Sequence, residues 1–182
     1  HPMATATETS KATTKTQASA AADRESLTVS RAFNAPRDLV FQAWSAAEHL
    51  KHWFCPQGFT IPECEVEFRP GGKFDLWMRS LDGNYSHWIR GHYVEIIPHS
   101  RLVLDMTVVT EAGVALFNAN TSVTFETVCG GTEMSVTQRY TALDPSAGNF
   151  TRGAEEGWAQ TLDRLEKEVA RIAAATPARS VA

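Results

Sequence analysis

The chain has 182 residues, of which 43% are hydrophobic, and it carries a formal net charge of −4 at pH 7. This length and apolar content fit one folded domain with a single core, whereas the negative charge gives no basis for binding nucleic acid or an anionic membrane. No apolar run is long enough to span a bilayer, and three irregularly spaced cysteines argue against a disulfide framework and for a reducing, cytoplasmic location.

The two ends of the chain are predicted to be disordered tails. Residues 1–22 are mostly Ala, Thr, Ser and Lys with Met3 as the only large apolar residue, and such a stretch buries too little surface to offset the entropy of ordering it. His1 and Pro2 precede Met3 and are interpreted as a cloning remnant. We therefore expect a disordered tail over 1–25, one domain over 26–176 and a second tail over 177–182.

The first part of the domain is predicted to be a strand followed by two short helices. Residues 27–33 alternate apolar and polar side chains, which indicates a half-buried strand. Asn34 is expected to cap the first helix, with Pro36 in its first turn. Apolar residues then recur at helical spacing; they are Val40, Phe41, Trp44, Leu50, Trp53 and Phe54.

Six further strands are predicted between residues 59 and 141, where the apolar period falls to two. Their segments read FTIPECEVEF, KFDLWMRS, YSHWIRGHYVEII, RLVLDMTVV, TSVTFETV and EMSVTQRYT. Short turns join them, which predicts an antiparallel meander, because parallel crossovers need longer connections. The Pro70-Gly71-Gly72 segment could cradle a phosphate only if a helix followed it, but residues 73–79 alternate as a strand, so a turn is predicted.

A long amphipathic helix is predicted over residues 150–175. The apolar stripe is Trp158, Leu162, Leu165, Val169 and Ile172, at spacings of 4, 3, 4 and 3. The opposite face is polar and includes Asp163 and Lys167 as an i,i+4 pair. The predicted fold is therefore α+β: a strand, two short helices, a six-stranded antiparallel meander and a long C-terminal helix packed on the concave sheet face.

A set of motifs in fixed order resembles a known family. The motifs are VFQAW…HLKHWF, FRPGGKF…M…DGN, GHYVEIIPHSRLV, VTFE…GGTEMSVTQ and EEGWAQTLDRLEKEV. From about Leu27 to Ala170 the chain resembles the SRPBCC (START-like, helix-grip) superfamily, and more closely its branch of homologues of the heat-shock protein 90 ATPase activator. The resemblance implies a sheet wrapped around the C-terminal helix, with an elongated hydrophobic cavity between them, and it implies no catalytic signature.

Side chains that face the space between sheet and helix are the predicted ligand-binding residues. Alternation turns one side of each strand toward the helix, and Met, Phe and Trp suit an adaptable apolar pocket. The resemblance places the pocket entrance at the end of the second helix. The predicted set is Trp53, Phe54, Phe74, Leu76, Met78, Leu104, Met106, Val123, Phe125, Met134, Val136, Trp158 and Leu162. Ordinary core packing is the alternative for each of them taken singly.

A metal site is the first alternative use of polar residues. His49, His52 and Cys55 are spaced by threes and could gather a zinc ion on one side of a helix. Pro56 is expected to end that helix, and no fourth ligand follows at a recognised spacing. Exposed histidines are the simpler interpretation, so neither a metal nor another cofactor is predicted.

An acid/base site on a strand is the second alternative. His87, Tyr93 and Glu95 are expected to share one face of a strand, opposite Trp88 and His92. A proton-transfer pair could form there, but no nucleophile accompanies it. A solvated strand edge is the simpler interpretation, and no catalytic residue is predicted.

Three functions remain open at the level of the sequence. The first is a cytoplasmic protein that binds a small hydrophobic ligand, lipid-like or aromatic, in the predicted cavity. The second is an enzyme of the polyketide aromatase/cyclase kind, which needs inward polar side chains such as Gln138 or Tyr140 beside Thr132. The third is an interaction module for a heat-shock protein 90 chaperone, which needs an exposed apolar patch on the outer sheet face, where Trp77 is expected.

Overall fold

The computed structural model describes residues 16–18 and 24–177, and it contains one antiparallel sheet with three helices. The sheet has eight strands in the order β1-β2-β8-β7-β6-β5-β4-β3. The strands are β1 (Thr16–Ala18), β2 (Arg24–Phe33), β3 (Phe59–Val66), β4 (Lys73–Ser80), β5 (Ser86–Ile97), β6 (Arg101–Thr110), β7 (Ala115–Val128) and β8 (Gly131–Ala142). The helices are α1 (Arg37–Gln42), α2 (Ala47–Trp53) and α3 (Ala154–Ala175), and a 3-10 turn spans Pro145–Ala147. The predicted α+β helix-grip fold is confirmed.

Helix α3 packs its apolar stripe against the same core as the inner face of the sheet. Leu162, Leu165, Val169 and Ile172 are all buried there, and each buried aliphatic side chain of this size contributes about 1.5–3 kcal/mol. Bulges interrupt the β3–β4, β5–β6 and β6–β7 pairings, and bulges bend a sheet so that it can wrap around a helix. The part of the chain that the structure describes contains no helix that could span a bilayer.

The Pro-Gly-Gly segment is a turn, as predicted, because a strand and not a helix follows it at Lys73. Gly71 has φ +78°, and a Cβ at Gly72 would lie 2.0 Å from the carbonyl oxygen of Glu67, so both positions favour glycine. The amide of Gly71 donates to the carbonyl of Tyr93 at 2.6 Å, and the Tyr93 amide donates back to Gly72 at 2.9 Å. The turn therefore closes onto β5, and its amides are not free to bind a phosphate.

Two helix starts differ from the prediction. Pro36, not Asn34, is the N-cap of α1, and no side chain caps the helix; a proline keeps the residue before it extended, so the helix begins only after it. Helix α3 begins at Ala154 instead of residue 150, because Gly153 at φ +80° reverses the chain just before it.

The N-terminal boundary of the domain also differs from the prediction. Strand β2 begins at Arg24, two residues before the predicted start at residue 26, and Thr16–Ala18 pair with residues 25–27 as an edge strand. The predicted tail over 1–25 therefore contributes strand residues to the sheet. Its remaining residues, 1–15 and 19–23, and residues 178–182 of the second tail lie outside the described residues.

Candidate functional site

A cavity of about 250 Å³ lies between the first two turns of α3 and the inner face of the sheet. Its wall is mostly apolar. The lining residues are Phe54, Cys55, Pro56, Met78, His87, Ile89, Met106, Val108, Phe117, Ala119, Gln138, Tyr140, Phe150, Ala154, Gly157, Trp158 and Thr161. A larger groove of about 560 Å³ runs along the outside between β2 and α3, but Arg31, Glu155 and Glu156 form much of its wall. The inner cavity is therefore the candidate site.

The side chain of Gln138 organises one end of this cavity. Its Oε1 accepts hydrogen bonds from Tyr140 Oη at 2.6 Å and from Trp158 Nε1 at 2.8 Å. Its Nε2 donates to Thr121 Oγ1 at 3.0 Å, which fixes the orientation of the amide. Burial raises the pKa of Tyr140 to about 12, so this polar cluster is uncharged near neutral pH. Tyr140 donates its one proton to Gln138 and keeps lone pairs that can accept from a ligand.

His87 lines the same cavity from β5, where a solvated edge was expected. That expectation is wrong, because β5 lies between β4 and β6 in the interior of the sheet and the imidazole is partly buried. Burial lowers the pKa of His87, so the ring is neutral at pH 7. Among the residues that the structure describes, no side chain or backbone group is hydrogen-bonded to it.

The neighbours expected to share a face with His87 take other roles. Tyr93 does point inward, and its hydroxyl donates to the carbonyl of Trp44 at 2.9 Å. A bulge at Val94 moves Glu95 to the outer face, where it pairs with Arg101 at 3.2 Å. No carboxylate therefore accompanies His87 inside the cavity.

The predicted ligand-binding residues divide into two groups. Phe54, Met78, Met106 and Trp158 line the cavity. The others are buried in the core and lie outside the cavity wall, and Leu162 also borders the outer groove. The core residues are Trp53, Phe74, Leu76, Leu104, Val123, Phe125, Met134, Val136 and Leu162.

Aromatic side chains fill part of the space on the inner face of the sheet. Trp44, Trp53, Phe54, Phe74 and Tyr93 form a chain of edge-to-face contacts with centroid separations of 4.8, 5.2, 5.5 and 5.5 Å. Such contacts fill space closely and add to the stability from burial. Of these five rings, only that of Phe54 also lines the cavity, whose remaining wall comes mainly from the sheet and the start of α3.

The residues considered for a metal site are separated by other contacts. His49 is buried, contrary to the expected exposure, and its Nδ1 lies 3.0 Å from an oxygen of Glu168. Arg164 contacts the Sγ of Cys55 at 2.6 Å, while burial raises the pKa of this thiol. Within the described part of the chain, no group of three or more His, Cys, Asp or Glu residues could hold a metal ion.

The architecture agrees with a family match over most of the chain. The model of the family described as Activator of Hsp90 ATPase homolog 1-like protein matches residues 34–170. The chain belongs to this family. The match confirms the resemblance to the SRPBCC superfamily that the sequence motifs indicated. This fold supports a ligand-binding or related function in general.

Solved structures of bacterial proteins share the fold. A protein from Rhizobium leguminosarum is 31% identical with a TM-score of 0.71, and the match covers 82% of this chain and 96% of that chain. Protein NE0264 from Nitrosomonas europaea is 26% identical with a TM-score of 0.68 and the same coverage, 82% and 96%. The AHSA1 protein from Silicibacter pomeroyi is 19% identical with a TM-score of 0.64, covering 80% and 97%. No curated protein matches the sequence.

Proposed function

We propose that this protein binds a small, mainly apolar molecule that carries a polar group, in the cavity between α3 and the sheet. The observation that carries the proposal is the combination of an apolar wall with the fixed Gln138 cluster at one end. Ligand sites in proteins typically join an apolar surface to a few oriented polar groups in this way. The apolar wall would supply affinity, and the cluster would fix the orientation of the ligand.

The size of the cavity favours a compact ligand. Its volume of about 250 Å³ is slightly below the usual range of ligand pockets, about 300–1,000 Å³. The rings of Phe117 and Phe150 stack in the cavity wall with their centroids 4.3 Å apart, and Phe150 and Trp158 are only partly buried. A molecule with one or two rings fits these dimensions better than a long lipid chain does.

A cavity-filling variant tests the proposal without emptying the core. A Cβ at Gly157 would meet no atom within 4 Å, so Gly157→Leu should place its side chain in the cavity and leave the fold intact. We expect native mass spectrometry and titration calorimetry with naphthols and short fatty acids to detect a ligand of the wild type. Gly157→Leu and Trp158→Ala should lose it, whereas Ala170→Leu, at an exposed position of the same helix, should keep it. Equal binding by all four proteins would contradict the proposal.

An enzyme of the aromatase/cyclase kind is the second candidate, because Gln138 and Tyr140 do point into the cavity. Thr132 is not beside them; its hydroxyl donates to the carbonyl of Ala35 at 2.7 Å. Because its pKa is raised to about 12, Tyr140 stays protonated near neutral pH, so it would position a hydroxyl group of the substrate through its lone pairs and would not remove a proton. Cyclisation of a poly-β-keto thioester by the wild type, lost in Tyr140→Phe, would favour this candidate. No turnover by the wild type would remove it.

A chaperone contact is the third candidate. The family description names an Hsp90 ATPase activator, and Trp77 and Trp88 lie 4.9 Å apart on the outer face of the sheet. Both Trp77 and Trp88 are partly exposed, and an exposed aromatic pair of this kind could contact a protein partner. If so, the protein should stimulate a purified Hsp90 ATPase, and Trp77→Ala should abolish the effect.

We also propose a cytoplasmic location for the protein, because the free thiols of Cys55, Cys64 and Cys129 would stay reduced there.

A further inference from the structure

We propose that the ligand of the cavity carries a carboxylic acid, and that His87 recognises this group at the end opposite Gln138. The inference rests on the proposed function of ligand binding and specifies the chemical class of the ligand. It depends on two observations: the position of His87 in the cavity wall, and the absence of any other group in that wall that can become positively charged.

The positions of the polar groups define a ligand with two ends. His87 lies on β5 and Gln138 on β8, so that β6 and β7 separate them. Three strand spacings correspond to about 14 Å on a flat sheet, and to less across a concave one. The floor between the two ends is apolar and consists of Ile89, Met106, Val108, Phe117 and Ala119. A ligand that reaches both ends therefore has an apolar body between two polar groups.

The electrostatics of the wall select an acid over a base. The titratable groups that line the cavity are His87, Cys55 from the segment after α2, and Tyr140 from β8; no Asp, Glu, Lys or Arg lines it. A cationic ligand would find no negatively charged group there. Transfer of an unpaired charge from water into the cavity is strongly unfavourable. An anionic ligand has one partner, because imidazole is the one group of this wall that gains a positive charge near neutral pH.

The other groups around His87 leave its ring available. Its partners on the neighbouring strands are Met78 and Thr110, which do not titrate. The carboxylate of Glu111 is hydrogen-bonded to Ser86, whose side chain alternates to the opposite face. From α3, Trp158 and Thr161 line the cavity, and the guanidinium of Arg164 contacts the thiol of Cys55.

Binding of a carboxylate would therefore take up a proton. Because burial lowers the pKa of His87, the free imidazole is neutral at pH 7. A bound carboxylate pairs with the imidazolium and raises that pKa. The proton comes from solvent, and the bound pair has no net charge. Between the lower pKa of the free protein and the higher pKa of the complex, Kd should increase about tenfold for each unit of pH. Below the lower pKa, His87 is already charged and this dependence disappears.

Two probes that differ only in the acid test the inference. The probes are 6-hydroxy-2-naphthoic acid and its methyl ester, titrated calorimetrically in two buffers of different ionisation enthalpy. The proteins are the wild type, His87→Gln, and His92→Gln as a matched control on the exposed side of the same strand. We expect the wild type to bind the acid more tightly than the ester, with uptake of about one proton. His87→Gln should weaken binding of the acid about 10- to 100-fold, remove the proton uptake and leave the ester unchanged, and His92→Gln should behave as the wild type.

The outcomes separate this inference from the proposed function. If the acid and the ester bind equally well, and His87→Gln changes neither, the recognition of an acid is wrong and ligand binding stands. If neither probe binds to any of the proteins, and the wider panel does not bind either, the proposed function fails and this inference fails with it. Unfolding midpoints of His87→Gln and His92→Gln that match the wild type would exclude misfolding as the cause of a loss.

Discussion

Gln138 is the residue on which the polar end of the cavity depends. It links Thr121, Tyr140 and Trp158 through three hydrogen bonds. Gln138→Leu should lower the free energy of unfolding by about 1–3 kcal/mol, because the three partner groups lose their hydrogen bonds in a largely buried site. Urea denaturation measures the change. Gln42→Leu, at an exposed position of α1, is the control, and an equal loss in both variants would contradict the role of the cluster.

Two glycines should respond to alanine in opposite directions. A Cβ at Gly91 would lie 1.9 Å from the carbonyl oxygen of Asp105, whereas one at Gly157 would meet nothing within 4 Å. Gly91→Ala should therefore lower the thermal unfolding midpoint. Gly157→Ala should raise it, because alanine is favoured over glycine inside a helix by up to about 1 kcal/mol. A midpoint that does not fall for Gly91→Ala would show that the backbone around Gly91 relaxes, and a midpoint that falls for Gly157→Ala would contradict the expected gain in helix propensity.

The sequence predicts single cavity residues only in part. The alternation on β4 and β6 correctly turns Met78 and Met106 inward, and both line the cavity. The same alternation also turns Phe74 inward, yet its ring packs against Phe54 and Tyr93 and does not line the cavity. Periodicity specifies the face on which a side chain lies, but it does not specify which neighbours fill the space above it. The sequence does not predict that His87 lies in the interior of the sheet, because the order of strands in a sheet is not encoded in their local pattern.

At the scale of elements, the buried carboxylate of Glu168 on α3 is hydrogen-bonded to His49 of α2. Arg171 donates to both oxygens of Glu168, each at 2.6 Å, and His49 contacts Glu168 from α2 at 3.0 Å. Burial alone would raise the pKa of Glu168, but the hydrogen bonds from Arg171 and His49 outweigh it and lower the pKa below its usual value. A carboxylate whose pKa is lowered on folding stabilises the fold at pH values above its ordinary pKa. This contribution is lost as the pH falls through the lower pKa of the folded state.

The acid stability of Glu168→Gln tests this contact. Between about pH 7 and pH 3, the wild type should lose more free energy of unfolding than the variant does, because the variant has no carboxylate to protonate at this position. Urea denaturation at several pH values gives the difference. Glu133→Gln, at an exposed position on β8, should follow the wild type. Parallel curves for all three proteins would contradict the predicted contribution.

The elements themselves are largely readable from the sequence, whereas their tertiary contacts are not. The stripe from Leu162 to Ile172 predicts the buried face of α3, and the structure confirms it. The same pattern predicts an ion pair between Asp163 and Lys167 within the helix. In the structure, Oδ1 of Asp163 instead lies 2.8 Å from a guanidinium nitrogen of Arg31 on β2. A pattern along one helix identifies possible partners in that helix alone. A charged partner on a distant strand becomes visible only when the chain is folded.

At the scale of the whole molecule, the domain should fold without its N-terminal residues. Strand β1 contributes only three paired residues, opposite positions 25–27, while β2 pairs with β8 over ten positions. A chain that begins at residue 24 should therefore keep its core, and its free energy of unfolding should change by less than about 1 kcal/mol. Urea denaturation of the full-length and shortened proteins measures this difference. Loss of the cooperative transition on shortening would show that the core depends on residues before Arg24, and it would contradict this prediction.

The distribution of tryptophans has a consequence for how occupancy of the cavity could be observed. Trp158 is the only one of the five tryptophans that lines the cavity. The other four form two separate pairs, one buried and one on the outer face; they are Trp44 with Trp53 and Trp77 with Trp88. A guest molecule would perturb the emission of a single indole, while the two pairs provide a constant background. The difference in fluorescence between the wild type and Trp158→Phe therefore gives the emission of Trp158 alone, and a change in this emission would report that the cavity is occupied.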